Sequence, residues 1–240
     1  MHSKETTNLD LLIANLQPNS NENCVLITTG ALNPIHKTHI LNLIQTKSYL
    51  ERSPHNFNVL AGYLSPTHDN YVAEKLFNKH IQAEHRIAMC NEAVKEAKQE
   101  HWISVDRAEC MATKFIDFPE VCEQLFVFLN DKLVKQQKLL QKAVRVIYVC
   151  GLDHFNKCGN IDRLARDELG IAVIHRQNSN EKYINGANAD PNIFYVSKMD
   201  SKQNVEDVSS SLIRQRLQQG QSCDHLTYQS VLKYLKVNKL

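Results

Sequence analysis

A ten-residue stretch near the start of the chain carries residue types suited to phosphate chemistry. It reads Gly30-Ala31-Leu32-Asn33-Pro34-Ile35-His36-Lys37-Thr38-His39. Gly30 lets the backbone approach a ligand closely, and Asn33-Pro34 predicts a turn. The helix expected next offers unpaired N–H groups and a partial positive charge to an anion. His36 and His39 are three residues apart, so one helical turn points both imidazoles to the same side. The stretch therefore predicts a phosphate-handling pocket.

A second stretch of this kind, Val208-Ser209-Ser210-Ser211-Leu212-Ile213-Arg214, lies near the C-terminus. Serines at a helix start cap its free N–H groups, and Arg214 one turn later could hold a polyphosphate through its guanidinium fork. Both stretches also have simpler explanations. The two histidines can be a solvated helix face or half of a zinc site. The serines can be an N-cap alone, and Arg214 can pair on the surface with Glu206 or Asp207.

Composition and charge narrow the class of protein. The chain has 240 residues, 42% hydrophobic and 22% charged, with a formal net charge of +2. These values are typical of an ordinary globular protein of one or two domains, and they favour neither nucleic-acid binding nor a polybasic membrane anchor. Residues 1–23 lack the basic start and apolar core of a secretory signal, and no segment is long and apolar enough to span a bilayer. We expect a cytoplasmic or nuclear protein.

The cysteines predict free thiols. There are seven, without any Cys-x-x-Cys pair. An odd number of scattered cysteines favours buried, reduced side chains in a reducing compartment. A structural zinc site or a thiol nucleophile is therefore not expected.

Hydrophobic patterning predicts strands that alternate with helices. Strands are expected at 24–29, 57–64, 102–105, 144–149, 171–174 and 193–196, and helices ending near 52 and at 83–100, 119–143, 209–219 and 226–237. This order indicates an α/β fold with one doubly wound, Rossmann-like parallel sheet and helices on both faces. Ligands of such sheets bind at the carboxyl ends of the strands, where Gly30 and Gly151 lie. We expect a polar extension, residues 1–22, and one domain, residues 23–240.

Taken together, the motifs from Cys24 to Leu240 resemble those of the nicotinamide/nicotinate mononucleotide adenylyltransferase family, within the HxGH-type nucleotidylyltransferases. Gly30 to His39 matches the family pattern G-S-F-N-P-x-H/T-x-x-H, and Val208 to Arg214 matches I-S-S-T-x-I-R. Further matches, in the family's order, are Ser65-Pro66, Asp69, Tyr71, His85-Arg86, Val105-Asp106 and Gly151-Leu152-Asp153. The chain is more similar to the eukaryotic-type branch than to the short bacterial one.

The resemblance implies adenylyl transfer in NAD biosynthesis. The 5′-phosphate of a pyridine mononucleotide attacks the α-phosphorus of Mg-ATP, and pyrophosphate leaves. Because the attacking phosphate is already anionic, no general base is needed, and catalysis consists of positioning and charge stabilisation. Mg²⁺ is expected to be held mainly by the ATP phosphates, without a protein metal site. The partners implied are ATP and the mononucleotide, and the oligomeric state stays open, a homo-oligomer included.

The resemblance also assigns roles to residues at the ATP site. His39 would steady the α-phosphate in the transition state, His36 would assist, and Arg214 would hold the β- and γ-phosphates with the nearby amides. The ATP-binding residues implied are Gly30, His39, Lys75, Gly151, Asp153, Ser210, Ser211, Leu212, Ile213 and Arg214. Asp153 would bind a ribose hydroxyl, or it caps the helix that follows its strand. Lys75 would bind a phosphate, or it is a solvated loop lysine.

The acceptor site departs most from the family pattern. Ala31 and Leu32 replace Ser and Phe, so their contribution would come from the backbone, and Leu212 replaces a basic residue. The family holds the pyridine ring between aromatic side chains, and here Phe115 stands in one such place, with Phe118 as the alternative. Leu164 or a deletion stands where a tryptophan is expected. Besides pyridine-nucleotide adenylyl transfer, two hypotheses remain: a same-fold nucleotidylyltransferase or ATPase with another substrate, and a nucleotide-binding protein with little turnover.

Overall fold

The sheet has six parallel strands. The computed structural model describes residues 1–17, 22–175, 190–197 and 208–240. The strands are β1 (Asn23–Gly30), β2 (Asn58–Pro66), β3 (Ile103–Val105), β4 (Arg145–Gly151), β5 (Leu169–His175) and β6 (Ile193–Ser197). Their order is β3-β2-β1-β4-β5-β6, and each neighbouring pair is parallel. The chain reverses direction across the sheet between β1 and β4, which makes their carboxyl ends the expected ligand crevice.

Helices cover both faces of this sheet. They are α1 (Leu9–Ala14), α2 (Lys37–Leu50), α3 (Asp69–Leu76), α4 (Ala83–Glu96), α5 (Phe118–Asn130), α6 (Leu152–Lys157), α7 (Ser210–Gln218) and α8 (Gln229–Val237). Buried apolar side chains of α2, α4 and α8 form one core cluster with the sheet. Those of α1 and α5 form a second cluster on the opposite face. The α/β fold class predicted from the sequence is confirmed.

The predicted strands are all present, with ends within two residues of those expected. The helix predicted over 119–143 is wrong in length, because α5 ends at Asn130 and continues only as a π-helical turn, Asp131–Gln136. The Asn130 side chain explains the end: its amide donates to the carbonyl of Val144 at 3.0 Å and its oxygen accepts from the N–H of Val144 at 2.7 Å. These two bonds tie the end of α5 to Val144, the residue that precedes β4.

A short helix that the hydrophobic pattern does not predict follows β2. Strand β2 continues to Pro66, and α3 begins at Asp69. His68 caps this helix, because its side chain accepts the N–H of Asn70 at 3.1 Å. A side-chain N-cap made by histidine is not among the usual signals for a helix start, which explains why α3 is missed in the sequence.

The N-terminal segment is packed on the domain. Leu9 and Leu12 of α1 are buried in the α5-side core. Thr7 donates its hydroxyl to the buried carboxylate of Asp106 at 2.9 Å, and the Asn15 side chain donates to the carbonyl of Leu60 at 3.1 Å. The described part of the predicted extension therefore contributes to the fold. The domain boundary at residue 22 stays a prediction.

Two further expectations concern thiols and membranes. All seven cysteines are free, six of them buried and Cys158 partly exposed. Within the described ranges, none of the helices has the length and apolarity needed to cross a bilayer. The compartment stays a prediction.

Candidate active site

The start of α2 presents a neutral histidine. His36 is the N-cap of this helix, and its backbone N–H donates to Nδ1 of His39 at 3.1 Å. The two rings lie with their centroids 3.7 Å apart. Burial lowers the pKa of the His39 imidazole to about 4, although its hydrogen bond to the His36 backbone acts in the opposite direction. A neutral ring whose Nδ1 accepts a hydrogen bond carries its proton on Nε2. His39 can therefore donate that N–H at neutral pH.

The start of α7 is bound to the loop that precedes α2. The Ser210 hydroxyl donates to the carbonyl of Pro34 at 2.8 Å, and Nη1 of Arg214 donates to the carbonyl of Asn33 at 2.6 Å. Nη2 of Arg214 also donates to the Ser211 hydroxyl at 3.0 Å. The two helix starts singled out in the sequence, Lys37 and Ser210, are 173 residues apart and therefore meet at one loop only in the folded chain.

Arg214 has a buried N–H donor that a ligand could engage. Its Nε is buried and has no hydrogen-bond partner in the portion of the chain that the structure describes. Burial lowers the pKa of the guanidinium, which nevertheless stays charged at neutral pH. A buried donor without a partner is costly, so a ligand acceptor at this position would be stabilising.

The first residues of α7 differ in what they can offer. Ser209 accepts the N–H of Leu212 through its hydroxyl and that of Ile213 through its carbonyl, both at 3.1 Å. Ser210 and Ser211 occupy the first two helical positions, whose N–H groups have no intrahelical partner. The predicted phosphate contact through amides is therefore possible at the two serines. The N–H groups of Leu212 and Ile213 already bond to Ser209, and the Ile213 side chain is fully buried. Their assignment to the ATP site stays a prediction.

A cavity of about 470 Å³ adjoins the carboxyl ends of β1, β2 and β4. Five residues predicted from the sequence line it: Gly30, Ala31, Lys75, Phe115 and Phe118. Two aromatic pairs form walls. The rings of Tyr71 and Phe115 stack with centroids 4.6 Å apart, and those of Phe118 and Tyr148 stack at 4.8 Å. Nζ of Lys75 lies 5.8 Å from the centre of the Tyr71 ring. The cavity thus combines aromatic surfaces with a cation.

Four other predicted residues are placed differently. Leu164 is fully buried in the α5-side core and does not line the cavity, so its prediction as a mononucleotide contact is wrong. The Leu32 side chain is also in the core, on a backbone with φ of 46°, which leaves only its backbone for a ligand. Gly151 ends β4, and Asp153 is exposed in the first turn of α6. Their ATP contacts stay predictions.

Arg86 is a positioning residue that the sequence analysis did not include in the site. Its side chain is fully buried, and its guanidinium donates to the carbonyls of Ala31 and Thr67 at 2.8 and 2.7 Å. It also donates to the Asp69 carboxylate at 2.6 Å and to the carbonyl of Ile81 at 2.8 Å. Ala31 and Thr67 both line the cavity. Arg86 thus fixes two cavity walls, and the His85-Arg86 match was the signal for it.

The sequence analysis also missed several polar residues of the cavity. Glu109 is only 1% exposed, and it accepts the Ser65 hydroxyl at 2.9 Å. Burial raises the pKa of this carboxyl to about 8. The Tyr148 hydroxyl lies 3.2 Å from the hydroxyl of Thr29 and 3.2 Å from Nε2 of His154. No motif marks Glu109, Thr29, Tyr148 or His154, since only the fold brings them together.

Comparisons with known proteins agree with this geometry. The family model described as cytidylyltransferase-like matches residues 27–216. An Arabidopsis thaliana nicotinamide/nicotinic acid mononucleotide adenylyltransferase is 26% identical over 226 residues, which cover 90% of this chain and 89% of that protein. A Danio rerio nicotinamide/nicotinic acid mononucleotide adenylyltransferase 2 is 35% identical over 92 residues, or 38% of this chain and 28% of that protein.

A solved structure shows the same fold. Plasmodium falciparum nicotinic acid mononucleotide adenylyltransferase complexed with APC superposes with a TM-score of 0.64, at 12% identity, over 91% of this chain and 97% of that one. This likeness extends the agreement from the sequence motifs to the sheet and its helices. The cytidylyltransferase-like family model matches residues 27–216, which is well over half of this chain. The chain therefore belongs to the cytidylyltransferase-like family.

Proposed function

We propose that the protein transfers the adenylyl group of ATP to nicotinamide or nicotinate mononucleotide, giving the dinucleotide and pyrophosphate. The observation that carries this proposal is the convergence of the α2 and α7 helix starts on the Asn33–His36 loop, beside a cavity with aromatic walls. Two helix N-termini and a guanidinium provide a site for a polyphosphate. The named relatives support the choice of reaction.

The residues of the chain act by positioning and by charge stabilisation. An oxygen of the mononucleotide 5′-phosphate forms a bond to the α-phosphorus, the bond from that phosphorus to the bridging oxygen of the β-phosphate breaks, and pyrophosphate leaves. The Nε2–H of His39 donates to the α-phosphate as its charge builds. Arg214 and the amides of Ser210 and Ser211 hold the leaving pyrophosphate. None of these residues has to accept a proton, since the attacking oxygen is already anionic.

The acceptor mononucleotide occupies the cavity. Its ring stacks on the Tyr71 and Phe115 wall or on the Phe118 and Tyr148 wall, and aromatic stacking of this kind contributes about 0.5–1.5 kcal/mol. Lys75 lies at the same cavity and is positioned to attract its phosphate. The backbones of Gly30 and Ala31 form the boundary with the ATP site.

Mg²⁺ is expected to arrive with ATP. Within the described ranges, no three His, Cys, Asp or Glu side chains are grouped so that they could hold a metal ion. The residues present therefore do not make a protein metal site there, and we propose that the ion is bound by the triphosphate. When bound, it neutralises phosphate charge.

The direct test is to incubate the protein with Mg-ATP and each mononucleotide and to quantify dinucleotide and pyrophosphate. The proposal predicts equal amounts of the two products, and their loss in His39→Ala. One control is Arg163→Met, at an exposed ion pair outside the described site, which should keep wild-type turnover.

A second candidate function is transfer to another acceptor or hydrolysis of ATP. The burial of Leu164 favours it, because the cavity lacks an aromatic side chain at that position. Pyrophosphate without a dinucleotide would indicate another acceptor, and phosphate alone would indicate hydrolysis. The absence of both products would leave a nucleotide-binding protein with little turnover.

A further inference from the structure

Among the residues that the structure describes, two carboxyl groups line the cavity: Glu109 is buried, and Asp117 already accepts two hydrogen bonds. Glu109 lines the cavity from the loop after β3 and is 1% exposed. The other acid lining it, Asp117, caps α5 by accepting the N–H of Phe118 at 2.9 Å, and its second oxygen accepts the Asn160 side chain at 2.5 Å. Glu109 accepts the Ser65 hydroxyl through Oε2. Glu109 is therefore the carboxyl group whose interaction with a cavity ligand would be least screened by water.

The two pyridine mononucleotides differ at a single substituent. A carboxamide is neutral and both donates and accepts hydrogen bonds, whereas a carboxylate is charged and only accepts. A protonated Glu109 can donate its O–H to an oxygen of either group. An ionised Glu109 can accept from the carboxamide NH₂ but repels a carboxylate across a poorly solvated cavity. The protonation state of Glu109 therefore changes the relative binding of the amide and acid forms of the acceptor.

We propose that Glu109 is a specificity-determining residue that distinguishes the amide from the acid form of the acceptor mononucleotide. This inference rests on the proposed function and adds the choice between its two acceptors. Its geometric basis is a buried carboxyl group that lines the same cavity as the two aromatic pairs. The Ser65 hydroxyl donates to Oε2 of this carboxyl and so restrains the Glu109 side chain.

The surroundings of Glu109 place its titration in an accessible range. Burial is the largest cause that raises its pKa to about 8, and Asp106 adds to this. Hydrogen bonds from Ser65 and Thr67 and the charge of Arg86 act in the opposite direction. In the part of the chain that the structure describes, Cys110, Cys122 and Tyr148 also interact with it, and Lys75, Asp117 and His154 line the same cavity. Burial raises the pKa of the two thiols and of the Tyr148 phenol as well, so these three groups stay neutral where Glu109 ionises.

The experiment compares kcat/KM for nicotinamide mononucleotide with kcat/KM for nicotinate mononucleotide between pH 6.5 and 9.5. Taking the ratio cancels effects that are common to both acceptors, such as titration of the 5′-phosphate. We expect the amide-to-acid ratio of the wild type to rise at least about tenfold through pH 8, since a pair of like charges in a poorly solvated site opposes binding. In Glu109→Gln, which keeps the size and an acceptor oxygen for Ser65, the ratio should not change with pH.

A matched control is Glu123→Gln, which neutralises a partly exposed carboxylate of α5 that pairs with Arg163 outside the cavity. It should retain the wild-type pH profile of the ratio. If Glu109→Gln does not fold, the wild-type profile decides alone. A wild-type ratio that is constant with pH, or an unchanged profile in Glu109→Gln, would overturn the proposal. Failure to form a dinucleotide from either acceptor would instead refute the proposed function.

Discussion

Replacement of Arg86 by methionine should destabilise the protein strongly. The guanidinium is fully buried and donates to three backbone carbonyls and to Asp69, all at 2.6–2.8 Å. Methionine fills similar space but leaves those acceptors without their donor. Removal of one partner of a buried ion pair costs about 3–5 kcal/mol. We expect the lower part of this range, because the Asp69 side chain is 38% exposed and keeps the N–H of Ala83 as a second donor.

The assay is urea unfolding followed by tryptophan fluorescence. The chain has one tryptophan, Trp102, which is 3% exposed and so reports on the core. Since small proteins have unfolding free energies of about 5–15 kcal/mol, a loss of about 3 kcal/mol shifts the midpoint well beyond error. Arg86→Lys should lie between the wild type and Arg86→Met, because an ammonium keeps the charge but cannot reach all the acceptors at once.

The matched control is Arg163→Met. Arg163 pairs with Glu123 at 3.0 Å, but its side chain is 53% exposed, and exposed pairs contribute at most about 1 kcal/mol. An Arg86→Met protein that loses no more stability than Arg163→Met would refute the assignment of Arg86 as the group that fixes the cavity walls. A folded Arg86→Lys protein should also show a raised KM for the mononucleotide, since Ala31 and Thr67 are no longer fully held.

Three other predictions concern the site itself. His39→Ala should lower turnover at least about a hundredfold while the protein stays folded, the scale of a lost transition-state donor, and near-wild-type turnover would remove His39 from the mechanism. In NMR spectra the His39 ring should stay in its neutral, Nε2-protonated form as pH falls from 7 to 5, since burial lowers its pKa to about 4; a midpoint near that of a free imidazole would contradict this. Phe115→Ala should raise the KM for the mononucleotide more than that for ATP, by about two- to tenfold, because aromatic stacking contributes about 0.5–1.5 kcal/mol. Equal effects on both substrates would exclude a stacking role, and Val127→Ala, at an exposed position of α5, serves as the control.

Much of the fold could be predicted because buried parallel strands are continuous apolar runs. The strand Arg145–Gly151 and its neighbours stand out in the sequence for this reason. Helix ends set by unusual side-chain bonds could not be predicted. The bonds of Asn130 to Val144 depend on a neighbour that only the folded chain supplies. The cap that His68 makes on Asn70 is local, but histidine is not among the usual signals for a helix start.

The candidate site, like the fold, has parts that could be predicted from the sequence and parts that could not. The helix starts at His36 and Ser210 are local features, so the sequence contains their signals, and the structure brings them to one loop. Glu109 acts through burial, which no local pattern encodes, and the His85-Arg86 match marks Arg86 without revealing its contacts with distant backbone. The sequence analysis assigned Leu164 to the site because it takes the place of an aromatic residue in the family pattern. The pattern does not show that the turn Ile161–Leu164 packs into the core.

The central claim is that two helix starts bind one triphosphate, and a crystal structure with a non-hydrolysable ATP analogue tests it most directly. We predict a single triphosphate with Nε2 of His39 at hydrogen-bond distance from an α-phosphate oxygen and the Arg214 guanidinium on the β- or γ-phosphate. A triphosphate that contacts only one of these side chains, or that lies away from the Asn33–His36 loop, would contradict the claim.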